Sequence, residues 1–221
     1  MTEWRPLALS LQVGLAATLL ATMIGVPLGL LISDKRTPAR NLIDAVSSAP
    51  LVMPPTVLGY YLLVALGRHS AIGRAWEMVV GSPIVFTRTG AVFAATVGAM
   101  PLVVKNARAA LEGVAPELLA AARTLGAGRL RVFTTIHLPL AARGLIAAVT
   151  LAFARSLGDF GITLMVAGDI PGQTQTASLA IYDLVQAQND RAAAGMIAVL
   201  TGSAIFTLYL VNRLTAQRDE A

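Results

Sequence analysis

The stretch LALSLQVGLAATLLATMIGVPLGLLI, residues 7–32, contains no charged side chain. A bilayer core about 30 Å thick is crossed by a helix of about 20 apolar residues. The stretch is therefore long enough to span a membrane, and the charges of Asp34, Lys35 and Arg36 follow it directly. A cleaved signal peptide has a basic start, a short apolar core and then a small-residue cleavage site. Residues 1–6 instead lead straight into this long apolar stretch, which we interpret as a retained transmembrane helix.

The same pattern recurs along the chain. Of its 221 residues, 56% are hydrophobic and 13% are charged, whereas soluble domains carry about 25% charged residues. Four more candidate spans lie at residues 45–67, 89–104, 145–167 and 192–211. We therefore predict an all-α integral membrane protein with about five transmembrane helices, in a single domain over residues 1–221.

The composition argues against several kinds of chemistry. Cysteine is absent, so disulfides and thiolate metal sites are excluded. His69 and His137 are the only histidines, too few for a convincing imidazole metal site. The phosphate-cradling pattern G-x-x-x-x-G-K-[ST] does not occur. We expect no cofactor and no catalytic residue in this chain.

Lysine and arginine predict the orientation of the chain. With the N-terminus outside, the inner segments hold eleven such residues and the outer segments hold five. The inner set is Lys35, Arg36, Arg40, Lys105, Arg108, Arg123, Arg129, Arg131, Arg143, Arg213 and Arg218, and the outer set is Arg5, Arg68, Arg74, Arg88 and Arg191. We predict an outer N-terminus and a cytoplasmic C-terminus. The net charge of +5 follows this sidedness, which disfavours nucleic acid as a partner.

Proline and glycine mark irregular places in the spans. Pro27 should bend the first span, and Pro50, Pro54 and Pro55 lie early in the second. Backbone groups freed in lipid must find partners in protein or water, so these prolines favour surfaces that are buried in protein or line a cavity. The alternative is that proline is simply more frequent in membrane helices. Breaks are also expected in the fourth span, at Gly158, Gly161 and Gly168.

Residues 105–143 form a long inner loop that is predicted to be structured. Pro116 suits the first turn of a helix, and the strong helix formers of residues 117–125 follow it. Gly126 and Gly128 should end this helix. A second amphipathic segment, residues 129–137, is expected to end at Leu138-Pro139.

The first loop helix presents a small apolar face. Leu118, Leu119, Ala122 and Leu125 are spaced to share it, with Arg123 beside it. Such a helix fits a groove on another protein. The alternative is an interfacial helix that lies on the membrane.

The spacing of this loop resembles the permease signature of ABC importers. Ala120-Ala121-Ala122 is followed after three residues by Gly126, and after nine more by Ile136-His137-Leu138-Pro139. The family pattern is Glu-Ala-Ala, Gly and Ile-x-Leu-Pro at these distances. Ala120 replaces the family's Glu, which puts any role of that carboxylate in doubt.

The resemblance implies a type I (MetI-like) ABC permease fold and a loop that docks on a cytoplasmic ATPase. ATP and Mg²⁺ would be bound by that partner subunit. The coupling residues implied by the resemblance are Ala120, Ala121, Ala122, Arg123, Leu125, Gly126, Ile136, Leu138 and Pro139.

Four further stretches, residues 50–60, 122–128, 152–161 and 170–176, resemble the permeases of molybdate importers. This implies inward movement of molybdate or tungstate by alternating access, in the inner membrane of a bacterium or archaeon. It also implies a homodimer and an oxyanion-binding protein outside the membrane. Alternatives are a permease for sulfate, thiosulfate or another oxyanion, a channel or scaffold without an ATPase, and a membrane-embedded enzyme.

A candidate anion path lies in the fourth span. Arg155 is midway along it and Asp159 follows one turn later, so the two side chains can meet on one face. They either form a pair that fixes helix packing, or Arg155 lines the path with Ser156 and Thr163 as hydrogen-bond donors. The polar segment 168–190, with a turn at Pro171-Gly172, would by resemblance receive the binding protein, or is a solvated loop.

Overall fold

The computed structural model describes residues 4–34 and 37–216, and every regular element in these ranges is helical. Lys35, Arg36 and Arg218, which contribute to the predicted orientation, lie outside the described residues. The elements in chain order are α1 (Arg5–Ser33), α2 (Arg40–Val52), α3 (Pro55–Leu66), α4 (Ala71–Val80), α5 (Arg88–Glu112), α6 (Pro116–Thr124), α7 (Arg129–Val132), a π-helical turn (Phe133–His137), α8 (Leu138–Leu157), α9 (Gly161–Ala167), α10 (Ala177–Gln186) and α11 (Asp190–Ala216).

Three long helices form the centre of the molecule: α1 lies along α5, and α8 packs against both. Their contact surfaces consist mainly of small side chains, which let helix backbones approach closely in a membrane. Ala17 of α1 is packed with Ala91 and Ala95 of α5, while Ala21 meets Ala99 and Val103 further along. The centre is therefore closely packed without large side chains.

The number of apolar spans agrees with the prediction. Among the described residues, four helices are long and apolar enough to cross a membrane, and the bent pair α2 and α3 counts as a fifth if it forms one span. The unbroken spans are Arg5–Ser33, Arg88–Glu112, Arg129–Leu157 and Asp190–Leu210. Leu15, Leu19 and Met23 on α1 are more than half exposed, as lipid-facing side chains would be.

The second span is broken, so the prediction of one helix over residues 45–67 is wrong. Its two halves, α2 and α3, meet at an angle of 117°. Met53 and Pro54 between them are extended, with ψ of 139° and 134°. Proline disfavours the helical region for the preceding residue, and Pro54-Pro55 applies this restriction twice in succession. Pro27, by contrast, lies within the continuous helix α1.

The third and fourth spans extend into the predicted inner loop. Helix α5 continues eight residues past the predicted end at residue 104, to Glu112. Residues 129–137 do not form a separate helix that ends at Leu138-Pro139, because the chain runs through the π-turn into α8 without a break. Leu138 N–H bonds back five residues to the carbonyl of Phe133. A widened turn of this kind lets the helix tolerate Pro139, which removes one helical hydrogen bond.

The breaks predicted after residue 157 are confirmed. Helix α8 ends at Leu157, and the short α9 begins at Gly161 and ends before Gly168. The span predicted over residues 145–167 therefore consists of parts of two helices. Helix α9 packs against α3 and α5, so the second half of the broken second span lies beside the second half of the broken fourth.

Two helices outside the long spans were not predicted. Helix α4 is capped at its start by Ser70, whose hydroxyl accepts a hydrogen bond from Gly73 N–H at 2.8 Å. Gly81, in a left-handed conformation, follows its last residue. Helix α10 occupies the middle of the polar segment 168–190. The predicted turn at Pro171-Gly172 is present, with φ of +76° at Gly172. The cap at Ser70 and the glycine at 81 are visible in the sequence and typical of helix ends.

Candidate functional site

The candidate site has two parts, the short loop helix α6 with its surroundings and the break between α8 and α9. The end of the molecule that carries residues 113–128 is named the loop end, and the opposite end is named the far end. Because the flanking spans extend into the predicted loop of residues 105–143, residues 113–128 are the part between them.

Helix α6 begins with Pro116 in its first turn and ends in a Schellman motif. Ala127 N–H donates to the carbonyl of Ala122 at 3.1 Å, and Gly126 N–H donates to the carbonyl of Arg123 at 3.0 Å. Gly126 has φ of +84°, and a Cβ added there would meet no atom within 4 Å. Backbone conformation, not space, therefore favours glycine at this position.

The apolar face predicted for α6 is divided in two. Ala122 is buried, and Leu119 packs against the buried cluster of Leu111, Val114 and Ala141 in the chain's own core. Leu118 and Leu125 remain 50% and 88% exposed. The prediction of one shared face is therefore wrong. One side of this nine-residue helix packs against the chain's own helices, and only the other side is exposed.

The exposed side of this loop combines small residues with leucines. Ala120, Ala121 and Arg123 are exposed on α6. Leu125 follows the helix, and Leu130, 76% exposed, lies at the start of the next one. An exposed leucine pair beside residues without long side chains is a surface that a partner can approach closely.

The second half of the motif lies where the π-turn joins α8. Ile136 is half-buried, while Leu138 and Pro139 are exposed. His137 donates a hydrogen bond from Nε2 to the carbonyl of Leu111 at 3.0 Å, which serves a carbonyl in the last turn of α5. Helix α6 contacts both α7 and the π-turn, so the two halves of the motif belong to one structural unit.

A charge cluster at the loop end was not predicted. Arg108 donates to Asp44 at 2.8 Å and to Glu112 at 2.9 Å, and Arg40 donates to Glu112 at 2.7 Å. These ion pairs join α2 to α5. The i,i+4 spacing of Arg108 and Glu112 is visible in the sequence, but the pairs to Asp44 and Arg40 connect residues 64 and 72 positions apart.

The structure joins three of the four residues of the candidate anion path, Arg155, Asp159 and Thr163, by hydrogen bonds. Arg155 Nη1 donates to Asp159 Oδ1 at 3.1 Å, and the side chains are 36% and 2% exposed. Ser156 Oγ donates to the carbonyl of Ala152 at 2.8 Å, and Thr163 Oγ1 donates to Asp159 Oδ2 at 2.7 Å. Both hydroxyl donors are thus engaged within the chain. Whether any of the four contacts an anion stays a prediction.

The far end holds a pair of carboxyl groups near the turn at residues 170–173. Burial raises the pKa of Asp169 to about 6, and the neighbouring Asp183 adds to this shift. Gln175 donates from Nε2 to Asp183 Oδ2 at 2.8 Å. Asp169 therefore changes its charge near neutral pH, unlike an ordinary aspartate.

Solved structures with similar folds are chains of ABC transporters. A chain of the MetNI methionine ABC transporter, in an inward-facing conformation, superposes with a TM-score of 0.72 at 18% identity, covering 97% of this chain and 96% of that one. A chain of a bacterial alginate ABC transporter superposes with a TM-score of 0.68 at 14% identity, covering 98% and 80%. At such low identity the likeness shows the fold alone, and it confirms the predicted MetI-like permease fold.

Relatives with higher identity are molybdenum permeases. The molybdenum transport system permease protein ModB of Escherichia coli (strain K12) is 41% identical over 215 residues, 97% of this chain and 94% of the relative. ModB of Haemophilus influenzae (strain ATCC 51907 / DSM 11121 / KW20 / Rd) is 43% identical over 178 residues, 80% and 78% of the two chains. ModB of Azotobacter vinelandii is 36% identical over 211 residues, 94% and 93%.

A family profile described as "Binding-protein-dependent transport system inner membrane component" matches residues 25–218. This range contains α6 with its glycine turn, the π-turn and the break at Asp159. The chain belongs to this family, the inner membrane components of binding-protein-dependent transport systems.

Proposed function

We propose that this chain is the permease subunit of an ABC importer that moves molybdate into the cell. The observation that carries the proposal is 41% identity over 97% of the chain to a molybdenum transport permease. The all-helical fold agrees with it, including the bend between α2 and α3 and the break between α8 and α9. The chain is a transport subunit and not an enzyme.

ATP hydrolysis belongs to a separate cytoplasmic subunit that binds ATP and Mg²⁺. Its contact is the exposed side of α6, where Leu125 and Leu130 project beside Ala120 and Ala121. The buried side of α6, through Leu119 and Ala122, would transmit movement of the ATPase to α5 and α8.

The loop end accordingly lies in the cytoplasm, and the N-terminus lies outside. Arg123, Arg129 and Arg131 at the loop end agree with the excess of basic residues on cytoplasmic segments. The segment 168–190 at the far end then faces the side from which a binding protein delivers its anion. A bacterial or archaeal inner membrane suits this arrangement.

Two copies of the chain form the transporter, with the path between them. Helix α2 has no buried residue in the described chain, although it ends at a break that frees backbone groups. In lipid such groups need protein or water around them. A second copy beside α2 would supply these surroundings, and alternating access would follow from movement between the copies.

The proposal is tested by uptake of labelled molybdate in cells with and without this gene, with excess sulfate as a competitor. Gene-dependent uptake that sulfate does not block is the expected result. Uptake that sulfate abolishes would indicate a sulfate-class permease. Equal uptake in both strains would remove the assignment to molybdate.

A further inference from the structure

Asp159 occupies the break between α8 and α9 and is 3% exposed. Oδ1 accepts from Arg155 Nη1 at 3.1 Å, while Oδ2 accepts from the backbone N–H and the hydroxyl of Thr163 at 3.0 and 2.7 Å. The backbone carbonyl of Asp159 accepts from Ser178 Oγ at 2.7 Å. This single residue therefore connects the end of α8 with the first turns of α9 and α10.

Arg155 is held differently. Its side chain is 36% exposed, and its bond to Asp159 is its one hydrogen bond within residues 4–34 and 37–216. A guanidinium carries five N–H donors in a fixed planar fork. Most of these donors are therefore unengaged, although the carboxylate fixes the position of the group.

Helix α5 confines the pair from another side. A Cβ added to Gly98 would lie 3.4 Å from Asp159 Oδ1 and 3.7 Å from Arg155 Nη2. The ion pair thus lies against a position of α5 that has no side chain. A side chain at this position would therefore touch both members of the pair.

We propose that Asp159 is a positioning residue for oxyanion transfer, which holds the Arg155 guanidinium at the helix break with its unengaged N–H groups available to a tetrahedral oxyanion. The inference rests on the proposed function and assigns separate roles within its path. Arg155 contacts the anion, and Asp159 acts through Arg155. Ser156 and Thr163 support the break, since their hydroxyls donate to Ala152 and Asp159.

The chemistry of the two side chains fits these roles. A carboxylate has no donor to offer an anion, and both oxygens of Asp159 already accept hydrogen bonds. A guanidinium can bind two oxyanion oxygens at once. The negative charge of Asp159 beside it weakens the attraction, which suits a transport site that must release its anion.

The test uses vesicles that contain the whole transporter: this chain, its partner ATPase and the loaded binding protein. Molybdate moved per ATP hydrolysed is measured for wild type, Arg155→Gln, Asp159→Asn and the double variant. We expect each single change to lower this ratio about tenfold, the scale of one lost charge-assisted hydrogen bond. The double variant should be no worse than Arg155→Gln, because Asp159 acts through Arg155.

A merely structural role for Asp159 gives a different pattern. Asp159→Asn would then lower ATPase stimulation and molybdate uptake equally, and the double variant would fall below Arg155→Gln. That result overturns the proposal, as does an unchanged ratio in Arg155→Gln. Wild-type vesicles that move no molybdate would contradict the proposed function itself.

Gly98→Ala provides a second route if Asp159→Asn does not assemble. It keeps both charges and adds a Cβ that meets Ile162 Cδ1 at 3.1 Å, so that Ile162 must shift beside the ion pair. Gly195→Ala is the matched control, because a Cβ there meets no atom within 4 Å. We expect less molybdate per ATP in Gly98→Ala than in Gly195→Ala. Equal ratios would overturn the proposal.

Discussion

Gly126 is the residue on which the shape of the loop end, the proposed contact of the ATPase, depends most directly. It is left-handed and closes the Schellman motif of α6, whereas Gly128 has φ of −65°, which any residue adopts. A side chain costs about 1–2 kcal/mol in the left-handed conformation. We predict that Gly126→Ala lowers molybdate uptake several-fold and that Gly126→Val abolishes it, with the protein still inserted in the membrane.

Gly128→Ala is the matched control, because its Cβ also meets no atom within 4 Å. Uptake and co-purification with the ATPase should both stay near wild type in this variant. If Gly126→Ala transports as well as Gly128→Ala does, the loop does not need the turn described here.

Asp169 gives a prediction about pH. Its pKa is raised from 3.8 to about 6, so the folded chain holds this proton more tightly than the unfolded chain does. The stability that protonation contributes is present below about pH 4 and is lost as pH rises to about 6, where the folded group has ionised. Hydrogen–deuterium exchange of residues 168–176 should therefore show more frequent opening at pH 7 than at pH 5.

Exchange rates in that comparison are corrected for the intrinsic effect of pH on amide exchange. Asp169→Asn should remove the remaining difference, since an amide does not titrate. A difference that persists unchanged in the variant would mean that another group is responsible.

Among the elements, α2 is attached through charges more than through burial. Arg108→Gln leaves Asp44 and Glu112 without their shared cation, and a hydrogen bond to a charged group contributes about 1.5–3 kcal/mol. We predict a lower thermal midpoint for the detergent-solubilised protein. Arg68→Gln is the control, because the Arg68–Glu77 pair is 63% and 36% exposed and such pairs contribute about 0–1 kcal/mol. Equal midpoints in the two variants would contradict a structural role for the cluster.

The helices that cross the membrane could be predicted because hydropathy alone decides them, as residues 7–32 show. The residues at which these helices end could not be predicted. Helix α5 continues past Lys105 to Glu112, since a helix can leave the lipid and remain a helix once Arg108 pairs with Asp44. The short helices α4 and α10 lie in segments whose composition resembles that of loops.

The candidate site, like the fold, could be predicted only in part. The coupling motif could be found from its spacing, because Gly126 and Ile136 to Pro139 are local signals. The division of the α6 face could not be predicted, since it depends on Leu119 packing against the distant cluster of Leu111, Val114 and Ala141. The pairing of Arg155 with Asp159 follows from helical spacing, but the bonds of Asp159 to Thr163 and Ser178 depend on a helix break whose geometry no local pattern gives.

At the scale of the whole molecule, we propose a subunit that imports molybdate only together with its partners. The spans carry few charged residues, and the loop end carries the exposed leucines that we propose as the contact of the ATPase. A channel of the same composition would let molybdate equilibrate without ATP. The two descriptions therefore differ in whether molybdate accumulates against its gradient.

The most direct measurement is accumulation of labelled molybdate in vesicles that carry this chain, with and without its partner ATPase, binding protein and ATP. We expect molybdate to accumulate above the external concentration only when all of these components are present. We also expect no molybdate entry through the chain alone. Entry that reaches equilibrium through the chain alone, or accumulation that does not require the ATPase, would contradict the account.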